Sequence, residues 1–137
     1  MKRILILCTG NSARSQMAEG LMRAAMKGDA EVFSAGTKPS LVRPEAVAVM
    51  AELGIDLTGH RSKSVDEFAG QEFDYVITVC DNANEVCPVF PGKTKRLHWP
   101  FEDPASVVGS PEERQAAFRN VRDQIQEKIQ QWVASIA

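Results

Sequence analysis

Apolar residues follow two rhythms along this chain, one continuous and one helical. Ile4-Leu5-Ile6-Leu7 is apolar without a break, the pattern of a strand buried on both faces, and predicts a strand over Lys2 to Leu7. Met17, Ala18, Leu21, Met22 and Ala25 then recur at helical spacing, with Glu19 early and Lys27 late, so Ser15 to Lys27 reads as a helix. Glu31 to Ala35 reads as a second strand, closed by Gly36. Pro44 suits a helix start, and Ala46, Val47, Val49, Met50 and Leu53 carry that helix on until Gly54 stops it. Ser62 to Ala69 allows a short helix. Phe73 to Val79 is a third strand, delivering Cys80 at its carboxyl end, and Lys95 to Trp99 is a short fourth. A long helical pattern runs from Glu112 to Ile136 through Ala116, Phe118, Val121, Ile125, Ile129, Trp132 and Val133.

Strands alternating with helices at short spacing predict an α/β fold with a four-stranded parallel sheet flanked by helices on both faces. At 137 residues the chain supports one core, so residues 1–137 are read as a single domain, without repeat, low-complexity tract or linker. In such folds ligands bind beyond the carboxyl ends of the strands. Cys8, Cys80 and the stretch Phe101-Glu102-Asp103-Pro104 all fall in that kind of position.

Composition changes the picture only by exclusion. An apolar fraction of 44% and a charged fraction of 25% are ordinary for a soluble domain. A net charge of -2 provides no basic field for nucleic acid or an anionic membrane, so any bound anion needs a local device. No apolar run is long enough to span a bilayer. Met1 to Leu7 begins like a signal peptide but runs too soon into polar residues, and a cytosolic location is expected. Three cysteines, Cys8, Cys80 and Cys87, are an odd number for a structural disulfide framework. With His60 and His98 they show none of the paired spacings of zinc sites, so neither metal nor cofactor is expected.

The local device is Cys8-Thr9-Gly10-Asn11-Ser12-Ala13-Arg14-Ser15. A turn from a buried strand into a helix start aims several backbone N–H groups at one point, where the helix dipole adds roughly half a positive charge. Gly10 lets the chain bend, and Arg14 offers a planar fork for two oxygens of a tetrahedral oxyanion. The same groups favour a thiolate, so Cys8 is expected to be a nucleophile with a lowered pKa, receiving a further hydrogen bond from Ser15. Such chemistry also wants an acid for the departing oxygen. Asp103, held extended before Pro104, is the candidate, with Glu102 the weaker alternative; read alone, Asp103 equally suits a turn start. Cys80 and Cys87 are seven apart: in a helix their Cα atoms would lie about 10.5 Å apart, against the ~5.5–6 Å a disulfide needs. They are therefore either two unrelated thiols or a pair whose segment loops out or unwinds.

Together, the Cys8-to-Ser15 loop, Asp103-Pro104 and Cys80…Cys87 resemble the low-molecular-weight protein tyrosine phosphatase superfamily, and more closely the thioredoxin-coupled arsenate reductases built on that fold. The resemblance runs nearly end to end, through Ser15-Gln16-Met17-Ala18-Glu19-Gly20, Ser34-Ala35-Gly36, Val79-Cys80-Asp81, Cys87-Pro88 and His98-Trp99 to Asp103-Pro104-Ala105. It implies a phosphatase-type oxyanion loop after the first strand and a cysteine relay. Cys8 attacks arsenate held by Arg14 and the amides of Thr9 to Ser15, with Asp103 assisting loss of water. Cys80 then attacks the adduct, releasing arsenite and leaving a Cys8–Cys80 disulfide. Cys87 attacks Cys80, and the Cys80–Cys87 disulfide is exposed by unwinding and reduced by thioredoxin.

The resemblance further implies phosphate or sulfate as analogues, a weak phosphatase side activity, a monomer, and no nucleic-acid or membrane partner. The alternative is a low-molecular-weight tyrosine phosphatase using only Cys8, Arg14 and Asp103. Cys80 and Cys87 have no task in hydrolysis, and Ala105 stands where those phosphatases place an aromatic. Relatives that bind potassium beside the loop use an Asn, a Glu, a Ser and an Asp. Asn11, Glu19 and Ser34 match, but Lys63 takes the Asp position, which argues against potassium here. Ala13 replaces a cysteine that many relatives carry, removing a competing disulfide partner for Cys8.

Overall fold

The computed structural model describes residues 2–80 and 92–136. Four strands, β1 (Lys2–Cys8), β2 (Ala30–Gly36), β3 (Tyr75–Thr78) and β4 (Lys95–His98), form a wholly parallel sheet in the order β2-β1-β3-β4. Around it lie the helices α1 (Arg14–Met26), α2 (Pro44–Ala51) and α3 (Pro111–Ile136), with short 3-10 helices at Val65–Phe68 and Pro104–Ser106. The predicted α/β fold with a four-stranded parallel sheet is borne out. The chain leaves β1 toward β2 and leaves β3 toward β4, so the connections diverge between β1 and β3 and open a crevice at their carboxyl ends. Cys8 closes β1 at that crevice, and Cys80 lies two residues beyond the end of β3.

β1 is central, and its unbroken apolar run is buried on both sides, as such a run requires. Ile4 and Ile6 face a core built with Met17, Leu21 and Met22 of α1, Val49 and Met50 of α2, and Phe118, Val121 and Ile125 of α3. Leu5 and Leu7 face the other side, against Val65, Phe68, Phe73 and Val76. There the rings of Phe33, Phe68 and Phe73 meet in tilted and edge-on contacts at 5.5–6.0 Å between centroids. The sheet is thus covered unequally: all three α-helices share one core, while among the described residues the second core holds the 3-10 helix Val65–Phe68.

Two helical stretches are shorter than their apolar patterns predict. α2 ends at Ala51 rather than running to Leu53, because Met50 O is taken by both Leu53 N (3.0 Å) and Ile55 N (3.1 Å), tightening the last turn ahead of Gly54 at φ +76°. Of Ser62 to Ala69, only Val65–Phe68 is helical, capped by Ser64 Oγ, which accepts from Asp66 N at 3.1 Å. No helix among the described residues is long and apolar enough to cross a membrane.

Candidate active site

Thr9 to Ala13 turn the end of β1 into the start of α1, and each of their carbonyls is engaged. Thr9 O accepts from Lys38 N (2.9 Å), Gly10 O from Ser40 N (3.2 Å) and Ser62 Oγ (2.8 Å), and Ser12 O from Arg43 N (2.9 Å). Asn11 O accepts from Gln16 Nε2 (3.1 Å) and Ala13 O from Met17 N (2.9 Å). A turn whose carbonyls are held on its outside leaves its N–H groups to converge inside, which makes an anion-binding nest. The first amides of α1 add to it, since they have no acceptor within their own helix and Ala13 supplies no side-chain cap.

Two residues allow this backbone. Asn11 has φ +45°, a left-handed conformation that asparagine tolerates better than most side chains. Gly36, paired with Cys8 across the sheet, lies where a Cβ would stand 2.5 Å from Thr9 O and 2.9 Å from Asn11 N. The absence of a side chain there lets β2 press against the turn.

Cys8 and Cys80 meet at the mouth of the nest, their Sγ atoms 2.7 Å apart and both residues buried. Thr9 N donates to Cys80 Sγ at 3.0 Å. Two sulfurs this close share one proton and cannot both be anionic. The hydrogen bond with Cys8 lowers the Cys80 thiol to about 7, assisted by Thr9 and by the Arg14 charge. The same bond pushes the Cys8 thiol well up, burial pushes it further, and Arg14 pulls only partly the other way. The pair therefore shares one proton across the 2.7 Å contact, and the sulfur left without it is the anion that Thr9 and the Arg14 charge favour. Ser15 departs from expectation. Its Oγ accepts from Asn11 Nδ2 at 2.9 Å, and no hydrogen bond joins it to Cys8 among the described residues.

Arg14 lies buried and latches the loop after β4 to the nest, NH1 donating to Phe101 O at 3.0 Å. Its NH2 stands 3.7 Å from Asp103 Oδ2, in a side chain that is 39% exposed. Asp103 also caps the 3-10 helix Pro104–Ser106, Oδ1 accepting from Ala105 N at 3.0 Å. The turn-start reading and the site reading of Asp103 therefore both hold. One carboxylate oxygen fixes the turn while the other faces the guanidinium at the open side of the nest. Glu102 lines the same outer cleft as Asp103, Ser106 and Asn120.

Behind the nest is a buried polar network. Asn11 Nδ2 donates to Ser34 Oγ (3.0 Å), and Ser34 Oγ donates to Glu19 Oε1 (2.6 Å). Asn11 Oδ1 accepts from Gln16 Nε2 and from Lys63 N, both at 2.9 Å. His60 Nδ1 meets Gln16 Oε1 at 2.9 Å, and burial lowers the His60 pKa. Asn11, Glu19 and Ser34 do meet, as the resemblance implies, yet the Lys63 ammonium stands 3.9 Å from Glu19 Oε1 and donates to Arg61 O at 3.1 Å. A potassium ion bound by this set would face an ammonium, so the residues present do not fit it.

The candidate residues Cys8 to Ser15, Cys80 and Asp103 therefore lie together at the carboxyl ends of the strands. Cys87 lies outside the described residues, as does any Cys80–Cys87 pairing. Sequence reasoning missed the groups that hold the turn from outside, namely the backbone of Lys38, Ser40 and Arg43 and the side chains of Gln16 and Ser62. Most of these act through backbone N–H groups, which leave no mark on side-chain pattern.

Comparison with known proteins places relatives beside this geometry. The family model described as low molecular weight phosphotyrosine protein phosphatase matches residues 3–137. An arsenate reductase of Halalkalibacterium halodurans is 45% identical over 128 residues, covering 93% of this chain and 92% of the relative. An arsenate reductase of Bacillus subtilis strain 168 is 41% identical over 131 residues, 96% of this chain and 94% of the relative. A solved structure of an arsenate reductase in a phosphate-binding state superposes with a TM-score of 0.81 at 33% identity, covering 100% of each chain.

Proposed function

The chain belongs to the low molecular weight phosphotyrosine protein phosphatase family, and on that premise we propose that it is an arsenate reductase working through a cysteine relay with thioredoxin as electron donor. Its arsenate-reductase relatives, at 41–45% identity, support the reaction class. The observation that carries the reading is the 2.7 Å contact between Cys8 and Cys80, because hydrolysis of a phosphate ester gives a second thiol at the nucleophile nothing to do.

Arsenate sits in the nest, its oxygens held by the amides of Thr9 to Ser15 and by the Arg14 fork. Cys8 passes its proton to Cys80 across 2.7 Å and attacks arsenic. A sulfur–arsenic bond forms, an arsenic–oxygen bond breaks, and Asp103 protonates the oxygen that leaves as water. Cys80 gives its proton up to solvent and attacks Cys8 Sγ. The disulfide forms, the sulfur–arsenic bond breaks, and its electron pair stays on arsenic, which departs as arsenite. Cys87 then attacks Cys80 and frees Cys8, and thioredoxin reduces the Cys80–Cys87 disulfide.

A second reading, phosphate-ester hydrolysis by Cys8, Arg14 and Asp103, is favoured by the family's description and is assigned here as a slow side activity. The protein is read as a cytoplasmic monomer. The test is arsenate-dependent oxidation of NADPH with thioredoxin and thioredoxin reductase, run beside glutathione and glutaredoxin. Turnover is expected with the thioredoxin pair. Turnover with glutaredoxin alone would overturn the donor, and no arsenate dependence with either would overturn the reaction.

A further inference from the structure

Cys8 and Cys80 are brought together by protein atoms alone: β1 and β3 end side by side, and Thr9 N ties Cys80 Sγ at 3.0 Å. A sulfur–sulfur distance of 2.7 Å is within about 0.7 Å of a covalent disulfide at ~2.05 Å. Nothing in that arrangement requires an oxyanion between the sulfurs. We propose that Cys8 and Cys80 together reduce small hydroperoxides, hydrogen peroxide above all, in a reaction that needs neither arsenate nor Cys87.

Cys80 thiolate attacks one peroxide oxygen; the sulfur–oxygen bond forms, the oxygen–oxygen bond breaks, and the departing hydroxide takes a proton from solvent and leaves as water. Cys8 thiol then attacks the sulfur of the Cys80 sulfenic acid. The disulfide forms, the sulfur–oxygen bond breaks, and the Cys8 proton leaves with the second water. Two thiols lose two electrons in all, and the peroxide gains them.

Four features favour this pair. Two thiols sharing one proton across 2.7 Å present one thiolate, which Thr9 N and the Arg14 charge favour at Cys80, and a thiolate is the form that attacks peroxide. The resolving thiol is already in contact, so a sulfenic acid meets sulfur before a second peroxide. Both residues are buried, 6% and 5% exposed, which admits a two-oxygen molecule more readily than a bulky one. Ala13 removes a third thiol from the loop, leaving Cys80 as the partner of Cys8 among the described residues.

The test uses the full-length chain carrying Cys87→Ser, so that a disulfide formed at the pair cannot move on. Reduced protein in arsenate-free buffer is treated with one equivalent of hydrogen peroxide and examined by thiol titration and mass mapping. The expected result is loss of two thiols per peroxide, loss of two hydrogens in mass, and a Cys8–Cys80 cross-linked peptide. The Cys8→Ser, Cys87→Ser chain should instead gain oxygen at Cys80 and form no cross-link. Two outcomes overturn the proposal: a sulfinic acid on either cysteine with the other still a free thiol, or no thiol loss while the same preparation releases arsenite from arsenate in a single turnover. That parallel measurement separates failure here from failure of the arsenate reading.

Discussion

Replacing Gly36 by alanine adds one methyl group at the place where β2 and the oxyanion turn touch. The new Cβ would stand 2.5 Å from Thr9 O, 2.9 Å from Asn11 N and 3.1 Å from Asn11 Cβ. The first two neighbours are backbone, so no side chain can swing aside. Gly36 is itself pinned, by its pairing with Cys8 and by donation from its N to Lys63 O at 2.8 Å. The turn must therefore give way, and opening 2.5 Å to an ordinary 3.4 Å contact moves Thr9 O by about 0.9 Å. Overpacking of this kind costs about 1–3 kcal/mol. A displacement near 1 Å in groups that position a reacting centre costs on the order of 10²-fold in rate. Gly36→Ala should thus lower the urea midpoint modestly and lower kcat/KM for arsenate by about two orders of magnitude. Gly59, whose Cβ would meet nothing within 4 Å, is the control, and Gly59→Ala should leave both unchanged. A Gly36→Ala enzyme with unaltered kcat/KM would refute the claim that this contact sets the nest.

Asn11→Ala removes the acceptor of Gln16 Nε2 and Lys63 N and the donor to Ser15 and Ser34, all in a buried site. Unsatisfied buried groups cost about 1–3 kcal/mol each, so urea unfolding should show a loss of at least about 2 kcal/mol, and phosphate should no longer bind measurably by calorimetry. Because the Cys80 thiol is lowered to about 7, single-turnover arsenite release should rise with pH through about 7 and level off above it; a flat profile from pH 6 to 8 would contradict the shared-proton assignment. Glu52 is held down to about 2 by hydrogen bonds from Arg119 and Arg122, which tie α2 to α3. A lowered carboxylate contributes stability above its ordinary value of 4.5 that is lost as pH falls toward 2, so Glu52→Gln should flatten that acid limb in thermal scans. Burial lowers His60 below 6.5, so its contribution is present above pH 6.5 and shrinks on acidification, a slope that His60→Gln should remove.

The elements legible in the sequence were those whose pattern is local. β1 showed itself through Ile4-Leu5-Ile6-Leu7, and α3 through a repeat that keeps Phe118, Val121, Ile125 and Ile129 on its buried side. The oxyanion turn was readable because strand, glycine, arginine and helix follow within a dozen residues. The end of α2 was not, since two competing donors on Met50 O, rather than composition, decide it. The contact that Cys8 makes was hidden for a different reason. A turn aimed at an anion predicts a thiolate, but a second thiol 72 residues away shares its proton once the fold brings the two into contact. Lys63 shows the opposite case: the departure read from the sequence stands beside Glu19, its ammonium 3.9 Å from the carboxylate.

Cys80 resolves the adduct formed on Cys8 by attacking its sulfur. A single turnover of the Cys87→Ser chain with arsenate, and no external reductant, isolates that step. One arsenite per chain, accompanied by a Cys8–Cys80 disulfide in the peptide map, is the predicted result. Arsenite released while Cys80 remains a free thiol, or no arsenite from a folded chain that still binds phosphate, would contradict it.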